Sequence, residues 1–299
     1  MEALEALKRT IHVTGELHSL VKTMKVLAGL NIRIYERAAH AVFEYNRTIE
    51  RGLEIAVRDL PQQALPPRHA AGNKLAAIVF GSDQGMCGQL NDVVVAHASL
   101  ALARLALRRG DQTTLAIGQR AAAQLEDAGH SVEATLAVPG SASGIAATVH
   151  DLLLRIQDWR ESGIEMVVLF YCRPYSGTLY RPRGLRLLPV DRAWIHGLRA
   201  KGWPSGVIPT YTMGTEQLFH SLIREYLFVS LFRAFAESLA SENASRLASM
   251  QVAERNIEDR LKELSSQFRQ SRQSSITSEL LDIVAAFEAL KGKAAHVHD

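Results

Sequence analysis

The stretch TEQLFHSLIREYLFVSLFRAFAESLASENASRLASMQVAERNIEDRLKELSSQFRQSRQSSITSELLDIVAAFEAL, residues 215–290, decides the fold. It holds no proline and almost no glycine. Its apolar side chains, among them Leu218, Leu222, Tyr226, Val229, Phe232, Leu239, Leu247, Met250, Ile257, Leu261, Leu264 and Phe268, recur at seven-residue multiples or their three-and-four parts. That spacing lines one seam of an α-helix, the pattern of a coiled coil. Unbroken, such a helix would run roughly 110 Å at a rise of 1.5 Å per residue. It needs a partner of similar length.

The other end of the chain supplies one. From Leu4 to about Arg58 there is again no proline, and Leu4, Leu7, Ile11, Leu17, Val21, Met24, Ala28, Ile32, Tyr35, Ala39, Val42, Ile49 and Leu53 keep a three-and-four spacing. This predicts a second amphipathic helix of roughly 80 Å. Two long helices at opposite ends of one chain satisfy each other by pairing antiparallel. The expected fold is therefore α/β, with two long terminal helices forming an antiparallel coiled coil over residues 1–60 and 210–291 and a separate domain inserted between them.

The boundary of the inserted domain is set by PQQALPPRHAAGNK, residues 61–74, whose prolines stop a helix. Beyond it β-rich and helical runs alternate. Strands are expected at 74–80, 113–118 and in SVEATLAV, with helices from near Asn91, to about Ala128 and from Ser143 to Trp159. MVVLFYCR (166–173) and GLRLLPV (184–190) then follow as β-rich runs. The alternation implies an α/β domain over residues 74–192 with a largely parallel sheet, its last two strands able to pair as a hairpin. A loop containing Trp203, Pro204 and Gly206 leads into the C-terminal helix.

Composition narrows the function. A net charge of +3, from 34 basic against 31 acidic residues, gives no general reason to expect a nucleic-acid partner. Cys87 and Cys172 lack CxxC spacing and nearby ligands, which argues against a zinc site or a disulfide framework and fits a reducing cytoplasm. No run of about 18 apolar residues occurs, so neither a membrane span nor an export signal is expected.

Four stretches invite chemistry, and each has a plainer reading. GSDQGMCGQLN, Gly81 to Asn91, lies between a strand and a helix, where α/β proteins hold phosphates, but its glycines fit neither GxGxxG nor GxxxxGK[ST], and a tight turn explains them. Cys87, near a helix start, could be a nucleophile, yet no histidine is local, the nearest in sequence being His97. RPYSGTLYRPRGLR, Arg173 to Arg186, mixes arginines with tyrosines as single-stranded nucleic-acid surfaces do, but one patch is thin evidence and a solvated hairpin turn is the plainer account. His296 and His298 could ligate a metal, although a frayed tail accounts for them. In SSQFRQSRQSSITSE, Ser265 to Glu279, the apolar stripe nearly vanishes, so that helix segment faces water or meets a partner through polar contacts. The first helix weakens similarly at Thr14, His18 and Lys25.

Read together, four segments resemble one family. KTMKVLAG (22–29) is similar to the first-helix pattern of gamma subunits of F-type ATP synthases, matching at Met24, Lys25 and Ala28. GSDQGMCGQLN resembles the family loop at Ser82, Asp83, Gly85, Cys87, Gly88, Leu90 and Asn91. ASENASRLASMQVAERN (240–256) and RQSSITSELLDIV (272–284) resemble its two C-terminal signatures. The resemblance implies a central-stalk rotor subunit, one copy per complex. Alpha and beta subunits of the catalytic head would surround it, with the epsilon subunit and the membrane rotor ring as further partners. It implies coupling of ion flow to ATP synthesis or hydrolysis by rotation, with catalysis on beta, no cofactor or catalytic site of its own, and a place on the cytoplasmic face of a bacterial inner membrane. Met24, Lys25, Asp83, Cys87, Arg246, Gln273 and Thr277 become candidate partner contacts. Val26-Leu27, Gly29, Gly15-Glu16 and Gln84 depart from the family pattern and mark a divergent member. Two alternatives remain at this point, a non-rotary coiled-coil scaffold and a small-molecule-binding α/β enzyme using the Gly81–Asn91 loop.

Overall fold

The computed structural model describes residues 2–61, 74–105, 109–177, 179–203, 206–207 and 209–295. Most of the 61–74 boundary stretch, Pro204 of the second loop, and His296 and His298 lie outside the described residues. Two helices dominate, α1 (Glu2–Ala56) and, at the other end of the chain, a helix from Thr215 to Ala295, here α6. Between them come β1 (Leu75–Phe80), α2 (Leu90–Arg104), β2 (Gln112–Ile117), α3 (Gln119–Asp127), β3 (Val132–Leu136), α4 (Ala142–Glu161), β4 (Met166–Ser176), β5 (Leu179–Leu188) and α5 (Arg192–Ala200).

The chain divides into two compact units: residues 27–249 form one, and the described residues before and after that span form the other. In the larger unit the sheet has the order β3-β2-β1-β4-β5. Strands β1, β2, β3 and β4 pair in parallel, and β5 returns antiparallel to β4 with Tyr171 opposite Arg183. This is the expected mixed, mostly parallel sheet closed by a hairpin. Strand β1, LAAIVF, is central and buried at all six positions, which is why it reads as an unbroken apolar run rather than an alternating one. Ala76, Ile78 and Phe80 face Ile145, Val149 and Leu152 of α4 and Leu231, Phe235 and Leu239 of α6. Leu75, Ala77 and Val79 face the layer of Leu90, Val94 and Ala98 of α2 and Leu125 of α3.

Helix α6 thus forms part of the sheet's cover. Between Ala234 and Ser245 every residue is buried. Such a segment is enclosed by the sheet as well as by α1 and cannot keep a single apolar seam. Its small residues, Ala234, Ala236, Ser238, Ala240, Ser241, Ala244 and Ser245, allow close approach of backbones. Ser241 Oγ reaches the carbonyl of Cys172 at 3.1 Å. Helix α5 was not expected from sequence. Asp191 caps it by accepting from the Ala193 amide at 2.8 Å, and its Ile195 and Leu198 enter a third cluster with Ile49 and Leu53 of α1, Leu60 just beyond it and Phe219 of α6.

In the smaller unit, residues 2–26 of α1 run antiparallel to the part of α6 from Met250 onward. His18 meets Glu258, and Lys25 meets Glu254, an increase of position in one helix matching a decrease in the other. Among its described residues, Val21, Met250 and Leu264 are buried apolar side chains.

Candidate functional site

The Gly81–Asn91 loop is built around a buried polar knot. Asn91 Oδ1 accepts from the Ser82 amide at 3.0 Å, while Asn91 Nδ2 donates to Ser82 Oγ at 2.9 Å and lies 3.6 Å from Cys87 Sγ. Ser82 Oγ in turn donates to the Gln84 carbonyl at 2.8 Å. Ser82, Cys87 and Asn91 are all buried, and buried polar groups of this kind hold a fold only when mutually satisfied.

The loop is pressed onto α6. Ser245 Oγ donates to the Cys87 carbonyl at 2.5 Å. Gly88 has φ +57°, and a Cβ there would stand 3.0 Å from Ser245 Oγ and 3.2 Å from Ser249 Oγ. Both backbone conformation and space therefore favour glycine. Met86, at φ 61° and 56% exposed, projects from the loop's outer side. The contact is testable. Ser245→Ala would remove the shorter of two hydrogen bonds to a buried carbonyl, leaving only the Leu90 amide at 3.4 Å, and we expect a loss of about 1 kcal/mol, read as a lowered denaturant midpoint at unchanged slope.

Asp83 brackets the edge of the same unit. Its Oδ1 accepts from the Gln119 amide at 3.0 Å and its Oδ2 from the Val138 amide at 2.8 Å. One carboxylate thereby ties the end of β1 to the start of α3 and to the chain leaving β3. Further along α6, Arg246 pairs with Glu242 at 2.7 Å, the two side chains only 11% and 8% exposed. Burial raises the Glu242 carboxyl above its ordinary range, the neighbouring Arg246 guanidinium opposing that rise.

The candidate contacts thus fall into two groups. Asp83, Cys87 and Arg246 use their side chains inside the larger unit. In the smaller unit Met24 and Lys25 are half-buried, with Lys25 on Glu254, and that ammonium holds the Glu254 carboxyl below its usual range. Gln273 and Thr277 are exposed, the Thr277 hydroxyl returning to the Gln273 carbonyl at 2.9 Å. Sequence reasoning missed Ser245 and Glu242 as members of these arrangements, and it placed Asn91 in the loop without its bonds to Ser82. Only the small-residue run before Arg246 hinted at Ser245.

Two of the other stretches are accounted for within the fold. Cys87 is 2% exposed, with Ser82 and Asn91 as its side chain's hydrogen-bond neighbours, an arrangement that buries rather than presents a thiol. In the β4–β5 hairpin, Arg173 lies 3.5 Å from Glu237, Arg181 stacks 3.6 Å over the Tyr175 ring, and Arg186 lies 3.8 Å from Asp191.

The ATP synthase family profile matches residues 3–290. Among curated relatives, an ATP synthase gamma chain of Magnetococcus marinus is 27% identical over 98% of this chain and 100% of its own. One from Thermobifida fusca is 25% identical over 98% of each. Among solved structures, a chain of the Euglena gracilis mitochondrial ATP synthase superposes with a TM-score of 0.63 at 16% identity, covering 97% of this chain and 95% of that one. A chain of the Tetrahymena thermophila central stalk and c-ring gives 0.56 at 17% identity, covering 78% and 99%. These structures share the fold.

Proposed function

The chain belongs to the ATP synthase gamma-chain family, and from that premise we propose that it is the central-stalk rotor subunit of an F-type ATP synthase, turning within the catalytic head to couple ion flow to ATP synthesis or hydrolysis. The observation that carries this reading is a surface. Val13, Leu17 and Leu20 of α1 and Ile276, Leu280 and Val284 of α6 stand roughly half exposed. Helix faces of that kind in a folded chain mark contact with other proteins. A head of alternating alpha and beta subunits is the partner that fits. The contact must remain acceptable at every angle, since one very favourable pair would hold the rotor in a single state. Exposed apolar side chains and the uncharged Ser, Thr and Gln residues that dominate 265–279 suit that condition, since they offer few charge pairs of fixed direction.

On this reading the chain carries no catalytic site, and catalysis belongs to beta. Met24, Lys25, Gln273 and Thr277 are the side chains proposed to touch the surrounding subunits. Asp83, Cys87 and Arg246 act behind the surface, setting the position of the loop that displays Met86 and Gln84 to a neighbour. The larger unit would meet the epsilon subunit and the membrane rotor ring. Among the described residues no helix is long and apolar enough to cross a membrane, and the proposed location is peripheral, on the cytoplasmic face of a bacterial inner membrane.

Co-expression of the tagged chain with alpha and beta subunits from the same source, followed by mass determination of the purified complex, tests the reading. One copy with three of each partner is expected. Correctly assembled partners that exclude this chain would leave a coiled-coil scaffold as the better account. Within the complex, Gln273→Ala combined with Thr277→Ala should leave the isolated chain's stability within about 0.5 kcal/mol, as exposed sites do. The same pair should slow ATP turnover by up to roughly tenfold, the equivalent of about 1.4 kcal/mol.

A further inference from the structure

In the smaller unit, His18 of α1 faces Glu254 and Glu258 of α6, which stand one helical turn apart. One ligand atom from each of the three lies within 4.8 Å of the others. His18 Nε2 is shielded from water and, among the described residues, makes no hydrogen bond. Its distance to Glu258 Oε1 is 3.5 Å, beyond the usual 2.7–3.2 Å range of an N–H···O bond. It is, however, close to the ligand-to-ligand edge of a tetrahedral site, roughly 3.4 Å when each ligand atom stands about 2.1 Å from the ion. The cluster has two carboxylates and one imidazole, the donor set of a borderline cation rather than of calcium or magnesium. Glu254 already has a cation beside it, the Lys25 ammonium.

We propose that His18, Glu254 and Glu258 bind a divalent transition-metal ion of the zinc class, tying α1 to α6 in the smaller unit and competing with Lys25 for Glu254. Small side-chain rotations close the remaining distances, and water fills the fourth position. Lys25 sets the affinity from outside the ligand set, since each ion bound must displace or tolerate its charge. The site does not depend on the rotor reading, because it concerns two helices of this chain alone.

The test is calorimetric titration of the full chain with zinc, paired with the visible absorption of cobalt as a report of ligand geometry. Because His296 and His298 offer imidazoles of their own, the reference protein carries His296→Ala and His298→Ala. We expect one ion per chain in that reference, with d–d bands of a four-coordinate cobalt site and a raised Tm in the presence of zinc. Adding His18→Ala should weaken binding at least tenfold, Glu258→Gln should do so in parallel, and Lys25→Ala should tighten it. Circular dichroism of each variant verifies that α1 and α6 are intact, and Glu258→Gln serves should His18→Ala unfold. No binding by the reference protein overturns the proposal. So does binding that neither His18→Ala nor Glu258→Gln weakens.

Discussion

Replacing Arg246 by alanine is expected to destabilise the larger unit by about 3–5 kcal/mol, the range for removing one partner of a buried ion pair. Arg246 and Glu242 are both nearly inaccessible, so the variant leaves a carboxylate with neither water nor a counter-charge. The pH dependence distinguishes this cause from simple loss of packing. Glu242 has its folded pKa raised by burial, and the Arg246 guanidinium lowers it, so alanine at 246 must raise it further. A carboxyl with a raised folded pKa binds more protons folded than unfolded, and its contribution to stability is complete below the unfolded value and declines as pH rises through the folded one. The unfolded state is common to both proteins, so the deficit of the variant against the parent should be small in acid and grow as pH rises through the parent's folded pKa, which lies above the ordinary carboxylate range. Adding Glu242→Gln removes the stranded charge and should restore part of the loss. Urea unfolding of the three proteins between pH 4 and 8 measures both effects. A deficit that does not change with pH, and that Glu242→Gln does not relieve, would show that Arg246 acts through packing of its stem.

The long helices and the sheet were legible because their determinants are local. A three-and-four spacing survives for tens of residues in α1 and α6, and β1 announces itself as a continuous apolar run between a polar loop and a glycine. The hairpin followed from two adjacent β-rich runs. Helix α5 escaped because it is short, follows Pro189 and includes Gly197. Its own signal was present in the Asp191 cap and in Trp194, Ile195 and Leu198. The α6 segment from Ala234 to Ser245 fitted a two-helix seam imperfectly for a physical reason, since the sheet covers the faces that a plain coiled coil would leave to water. Motif resemblance found the loop and Arg246 but not what they do. Their partners are distant in sequence, Ser245 from Cys87 by 158 positions and Val138 from Asp83 by 55. No periodicity or spacing rule reaches that far, and a backbone amide as partner leaves no mark in the side-chain pattern at all.

Asp83 makes that last point measurable. Read as a motif residue, it is a partner contact. In the fold, both its oxygens accept from backbone amides of other segments, Gln119 at 3.0 Å and Val138 at 2.8 Å. A hydrogen bond to a charged group contributes about 1.5–3 kcal/mol, and solvent near the Gln119 amide reduces its share, so Asp83→Ala should lower stability by about 2–4 kcal/mol. Asp83→Asn should recover less than half of that loss, because one of the two oxygens becomes an amide that donates and cannot accept from a second N–H. Amide hydrogen exchange locates the effect. Faster exchange is expected at Gln119 and Val138 in both variants, with the Ser82 amide, which donates to Asn91, protected as before. If instead Asp83→Ala leaves stability and exchange unchanged but lowers the yield of complex with alpha and beta subunits, the carboxylate serves a partner and the bracket across β1, α3 and β3 contributes nothing to folding. Loss of both would mean that the loop must be held by Asp83 before a partner can read it.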